Sequence, residues 1–126
     1  MPAPATVDEY IAGFPPDVAA RLTRIRVEIV DAVTSASAAA PEEKMRYGIA
    51  AVMLGGRYAL HFAGWKKHIG LYPVPALPEP LESEIAPYRA EKDSVVFPHS
   101  KDVPYELIAR VAREIADERV RQSAND

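Results

Sequence analysis

No cysteine occurs anywhere in the chain, so disulfides, thiolate metal sites and cysteine nucleophiles are excluded at the outset. No apolar run approaches the ~20 residues that a membrane-spanning helix needs. The N-terminal MPAPATVDEYIAGF has neither the basic start nor the apolar stretch of a secretory signal, and a cytoplasmic protein is the expectation. Basic residues are also in deficit: 15 Lys and Arg stand against 18 Asp and Glu, and the net charge of -3 offers no cationic field to a phosphate backbone. Neither nucleic acid nor a membrane is an expected partner. Missing too are GxGxxG, P-loop and HExxH patterns, and none of Ser35, Ser37, Ser83, Ser94, Ser100 and Ser123 sits in a GxSxG setting. Carboxylate pairs such as Glu42-Glu43 and Asp117-Glu118 are sequence neighbours expected in solvent. No nucleophile, acid or base set is legible, so the chain is not expected to be an enzyme.

What is present is the balance of an ordinary globular chain, 48% hydrophobic and 26% charged, over 126 residues that suit a single domain. Thr6-Val7-Asp8-Glu9 has the spacing of a capping box, and a short helix is expected to run from there to Gly13. Pro15-Pro16-Asp17 suits the first turn of a second helix, whose Val18, Leu22, Ile25, Ile29 and Val33 form one apolar stripe. Arg21, Arg24, Arg26, Glu28 and Asp31 fall between those positions and read as its solvated face. That helix is expected to fade in the run from Ser35 to Ala40 and to close at Pro41.

IAAVML (49 to 54) and RYALHFA (57 to 63) flank Gly55-Gly56, a dipeptide suited to a tight hairpin turn. Uninterrupted pairing would set Leu54 against Arg57, Met53 against Tyr58 and Ala51 against Leu60. Ile49, Ala51, Met53, Tyr58, Leu60 and Phe62 would then share the core face. A second hairpin through Gly64-Trp65-Lys66 leads to a strand over about 67 to 73. An even loop of two or four residues is required if Ile69 and Leu71 are to join Leu60 and Phe62. The same parity puts His61 and His68 on the face opposite the core, beside Ala50, Ala59, Ala63, Gly70 and Tyr72. Four small residues there would floor a shallow trough.

Pro73, Pro75, Pro78 and Pro80 forbid regular pairing after this meander. Leu81, Ile85 and Tyr88 mark a short helix that Pro87 ends or bends, SVVF (94 to 97) reads as a further strand, and His99 falls in the loop beyond it. Asp102 and Pro104 start a C-terminal helix with Leu107, Ile108, Val111, Ala112 and Ile115 as its buried stripe, and residues 122 to 126 are expected to fray. The fold class is α+β: an antiparallel sheet, a three-strand meander plus at least one further strand, with helices packed on one face. Function is sought on the other face.

His61 and His68 are the candidate metal ligands, because imidazoles with a nearby carboxylate could hold a borderline ion such as ferrous iron. Trp65, Lys66 and Lys67 lie at the hairpin tip, where an indole beside two ammonium groups suits a planar ligand or an anion, or folds back on the core edge.

The run EKMRYGIAAVMLGGRYALHFAGWKKHIGLYP, residues 43 to 73, resembles the YdhG-like proteins, a small bacterial domain family of unknown function. The motif elements are Tyr47, Gly56, Phe62-Ala63, Trp65, Lys67, His68-Ile69-Gly70 and Leu71-Tyr72-Pro73, where Leu71 replaces the family's usual aromatic. The opening TVDEYIAGFPPDVAARLTRIR, Val96-Phe97-Pro98 and Val103 to Ile108 extend the resemblance over about residues 6 to 119. It implies a sandwich of sheet and helices. Some members are described as frataxin-like iron chaperones, so it also implies iron delivery to iron–sulfur cluster or haem assembly. The expected function is a non-catalytic intracellular binding protein for iron. The alternative is a module binding an anion, a small molecule or a protein, a second copy included, through Trp65, Lys67, His68 and Tyr72. The full candidate set is Lys44, Tyr47, His61, Trp65, Lys67, His68 and Tyr72.

Overall fold

The computed structural model describes residues 3–36, 41–54, 56–91 and 93–124, with the side chains of 123 and 124 excepted. Helix α1, Val7–Ala12, is capped as its sequence predicts: the Thr6 hydroxyl accepts from the Glu9 N–H at 3.1 Å. The Glu9 carboxylate reaches back one residue further than the standard box, to the Ala5 N–H at 3.2 Å. Gly13 closes the helix. Helix α2, Pro16–Ala36, buries Val18, Leu22, Ile25, Ile29 and Val33, the stripe its spacing predicts. Residues 37 to 40 of the expected fade lie outside the described residues.

Arg26 is not a solvated residue. Its guanidinium spans Glu43 (2.6 and 2.8 Å) and Asp8 (2.6 Å), joining α1, α2 and the first strand. Both carboxylates hold its pKa well above the ordinary value, Glu43 first, against the cost of desolvation.

Five strands form one antiparallel meander in sequence order: β1 Glu42–Arg46, β2 Ile49–Leu54, β3 Arg57–Gly64, β4 His68–Tyr72 and β5 Val95–Pro98. β1 is absent from the sequence reading. It follows from the turn at Tyr47 and Gly48, whose φ values of 56° and 77° are the pair of positive angles that a tight two-residue hairpin needs.

The first expected hairpin starts in the predicted register, Leu54 opposite Arg57 and Met53 opposite Tyr58. Gly55 of that turn lies outside the described residues. The pairing then shifts, so that Val52 rather than Ala51 meets the Leu60 side of β3, and Ala59 is the extra residue of a β-bulge. From that point the expected faces of β2 invert. Ala50, Val52 and Leu54 join the core with the bulged Ala59, whereas Ile49, Ala51, Met53 and Tyr58 take the opposite face. Burial explains the choice, since one inserted residue lets Val52 and Leu54 pack under the helices together with Leu60 and Phe62.

β3 and β4 keep the predicted parity: Phe62 meets Leu71 and Gly64 meets Ile69, with four residues between that last pair. Helix α3, Leu81–Ile85, runs into a 3-10 turn at Ala86–Tyr88, where Pro87 was expected to end or bend it. Helix α4, Tyr105–Ala124, continues through Gln122 rather than fraying there, and the Gln122 side chain accepts from Arg119 at 3.0 Å. Asn125 and Asp126 of the expected frayed end lie outside the described residues.

α2 and α4 pack on each other and on β3, covering one face of the sheet. Gly64 lets the layers come close, because a Cβ there would lie 2.6 Å from Cε1 of Phe14, just ahead of α2, and 3.2 Å from Cδ1 of Leu22 within it. Among the described residues no helix is long and apolar enough to cross a membrane.

Candidate functional site

The face away from the helices carries His61, Ala63, His68, Gly70 and Tyr72 together, as the parity of β3 and β4 requires. Ala51 sits opposite His61 in the place expected for a residue of the other parity, and Ala50 and Ala59 belong to the core. The trough itself is filled. Tyr72 folds its ring over Gly70, where any Cβ would collide with the phenol oxygen, and its hydroxyl accepts from the Trp65 indole N–H at 2.9 Å. Glycine is needed there as the seat of an aromatic ring, not as an open floor.

His61 is buried, with 7% of its surface exposed. Its Nδ1 lies 3.3 Å from the Tyr72 carbonyl, which can only accept, so Nδ1 carries the proton of the neutral ring. Nε2 is then a lone-pair acceptor, and it has no partner among the described residues. The imidazole stacks on Tyr58 at 5.2 Å, and Arg46 covers that ring at 3.9 Å. Burial and the Arg46 charge push the His61 pKa below its ordinary value, with burial the larger cause and the Tyr72 carbonyl opposing both.

A histidine whose folded pKa is depressed carries no penalty above its ordinary 6.5, where the ring is neutral in both states, and stability is lost as pH falls from 6.5 toward the folded value because the unfolded chain takes up the proton first. Urea midpoints of the native chain are expected to fall between about pH 7 and pH 5, and His61→Phe is expected to flatten that fall. Parallel curves for the two proteins would mean that the ring titrates as in solvent.

The two histidines share a face without converging. Tyr72 faces His61 across the ladder, and His68 lies four positions further along β4, about 13 Å at ~3.3 Å per residue. Stacking on Tyr58 holds the His61 ring on the side away from the hairpin tip. Among the described residues no three His, Asp or Glu side chains gather where a metal ion could be held.

The tip is better organised. Trp65, Lys66, Lys67, His68 and Tyr72 line a shallow depression of about 460 Å3. Trp65 is 46% exposed, yet its indole is oriented by the bond to Tyr72. His99, expected only as a loop residue, fixes the tip from behind. Its Nε2–H donates to the Trp65 carbonyl at 2.7 Å, its Nδ1 faces Arg21 of α2 at 3.4 Å, and its backbone N–H donates to the Lys67 carbonyl at 3.0 Å. No spacing in the sequence announces that role, because its partners are 34 and 78 residues away. The candidate set therefore divides: Trp65, Lys67, His68 and Tyr72 meet at the tip, whereas Lys44 lies on β1 and Tyr47 stands 82% exposed at the β1–β2 turn against Arg46.

These features define an α+β domain in which a five-stranded antiparallel meander is covered on one face by two long helices. The same fold is found in YdhG of Bacillus subtilis, a protein of the DUF1801 family, whose crystal structure matches with a TM-score of 0.72 at 18% identity over 94% of this chain and 91% of that one. At that identity the likeness concerns the fold, and it agrees with the resemblance to YdhG-like proteins carried by residues 43 to 73. No family model and no curated protein matches the chain.

Proposed function

We propose that the chain is a non-catalytic intracellular binding protein that holds a planar anionic small molecule at the β3–β4 hairpin tip. One observation carries the reading: a half-exposed indole, locked in orientation by Tyr72, borders a depression with two lysines that pair with no carboxylate among the described residues. An oriented aromatic face supplies stacking at low entropic cost, and the ammonium groups supply the charge that selects an anion. Iron handling, which the family resemblance implies, has weaker support, because His61 is buried beside Tyr58 and no third donor joins the histidines among the described residues.

The lone Trp65 makes the test direct, since its fluorescence reports on the tip and nothing else. Titration with flavin mononucleotide and with anthraquinone-2-sulfonate is expected to quench it saturably. Replacing Lys66 and Lys67 together by alanine should weaken binding about tenfold at low salt, the scale of one charge-assisted contact. Equal affinity of the double variant, or no preference over uncharged anthraquinone, would remove the anion from the proposal.

A further inference from the structure

A second cavity, of about 580 Å3, opens between the proline segment after β4 and the C-terminal half of α4. Its volume lies within the ~300–1,000 Å3 typical of small-molecule sites. Pro73, Pro75, Leu77 and Ile115 give it an apolar lining, and Asp93, Glu114, Glu118, Arg119 and Gln122 are its polar groups.

Both walls are fixed before any ligand arrives. Arg89 donates to the Val74 and Pro75 carbonyls at 2.7 and 2.8 Å, and the Val74 N–H donates to the Asp93 carbonyl at 2.8 Å, so the proline segment is tethered at three points. On the opposite side Arg119 donates to the Tyr58 carbonyl at 3.1 Å and to Gln122 at 3.0 Å. Glu114 and Glu118, also on this wall, are each paired with Arg121. The half-buried Asp93 carboxylate makes no hydrogen bond or salt bridge among the described residues, and the Arg89 charge acts on it from beyond contact distance. The negative end of the α4 dipole belongs to the wall that faces that carboxylate.

We infer that this cavity is a binding site for a small amphipathic cation, an ammonium group on an apolar body, with Asp93 receiving the ammonium and the proline and isoleucine walls receiving the body. It is separate from the hairpin tip and does not depend on the function proposed there.

Three probes of one shape separate charge from mere greasiness: phenethylamine, 2-phenylethanol and 3-phenylpropionate. Followed by amide chemical shifts of the full chain, phenethylamine is expected to move Leu77, Asp93, Ile115 and Gln122 saturably, with a Kd of about 1 mM. Asp93→Asn should weaken it about fivefold, a modest charge effect at a half-buried carboxylate. Asparagine suits the left-handed backbone at that position, φ 61°, so the fold is kept. Ala76→Trp, at an exposed position of the wall, should block all three probes by filling the space. Equal binding of the alcohol or the anion, shifts confined to Trp65 and its neighbours, or undiminished binding by Asp93→Asn would each overturn the assignment.

Discussion

Phe62→Ala is expected to remove about 3–5 kcal/mol of folding stability, the usual cost of emptying a large aromatic site. Phe62 is fully buried on the central strand of the sheet, between Ala50 and Leu71 in the ladder, and shares one cluster with Leu22 and Ile25 of α2 and Ile108 and Val111 of α4. A domain of this size is held by about 5–15 kcal/mol in all, so the variant should sit close to its unfolding transition at room temperature. Urea titration checks it through a lower midpoint at unchanged slope. The same titration tests the bulge. Met53→Ala removes more atoms than Val52→Ala, but Met53 lies on the face away from the helices, and it should cost less. If Met53→Ala were the costlier change, Ala59 would not be bulged and β2 would present the face that uninterrupted pairing requires.

The bulge shows where sequence reasoning reached its limit. Ala59 is small and apolar, reads equally well on either face, and so gives no sign that it is an insertion. Beyond it, the apolar partners Phe62, Ile69 and Leu71 fix the parity of β3 and β4 without ambiguity, and that is why the shared face of His61, His68 and Tyr72 was legible. The helices were legible for a related reason: α2 and α4 are long, and each buries a continuous stripe that leaves its period in the chain. β1 left no such trace. An edge strand is guarded from unwanted pairing by charge, and Glu42 and Lys44 make it look like a loop.

Polar contacts between distant residues were the least legible of all. Arg26 meets partners 17 and 18 positions away, and His99 meets one 78 away, so nothing in the local pattern separates them from solvated side chains. The trough failed on a side-chain conformation. Composition showed that Gly70 lacked a side chain, but only the bond from Trp65 to Tyr72 determines that the phenol fills the space. The candidate residues at the hairpin tip could be named in advance, whereas the shape they make could not.

Arg89→Ala is expected to cost about 2–3 kcal/mol at neutral pH, more than an exposed ion pair is worth, because several buried or half-buried groups lose their donor at once. The guanidinium grips both oxygens of Glu82 at 2.7 and 2.8 Å while capping the carbonyls of Val74 and Pro75. Glu82 in turn accepts from the Leu77 N–H at 2.9 Å, so one fork ties α3 to the proline segment. Lysine cannot reproduce a planar fork, and Arg89→Lys should recover little of the loss. The bond from Arg89, helped by that of Leu77, holds the Glu82 carboxyl down at about 2, against an ordinary 4.5. Its contribution is therefore complete above about pH 4.5 and is lost as pH falls from there through 2. The stability gap between native chain and Arg89→Ala should stay constant from neutrality to about pH 5 and narrow below it, toward the share due to the two carbonyls alone. Glu82 and Arg89 retain 27% and 22% side-chain exposure, so solvent screening makes that narrowing partial. A gap that stayed flat down to pH 2 would show that Glu82 is not held by this fork. The same substitution bears on ligand binding, because Arg89 fixes one wall of the cavity beside α4 without being among the residues that line it. Weaker phenethylamine binding by a variant that keeps Asp93 would mean that the wall's rigidity, not the carboxylate alone, makes that cavity a site.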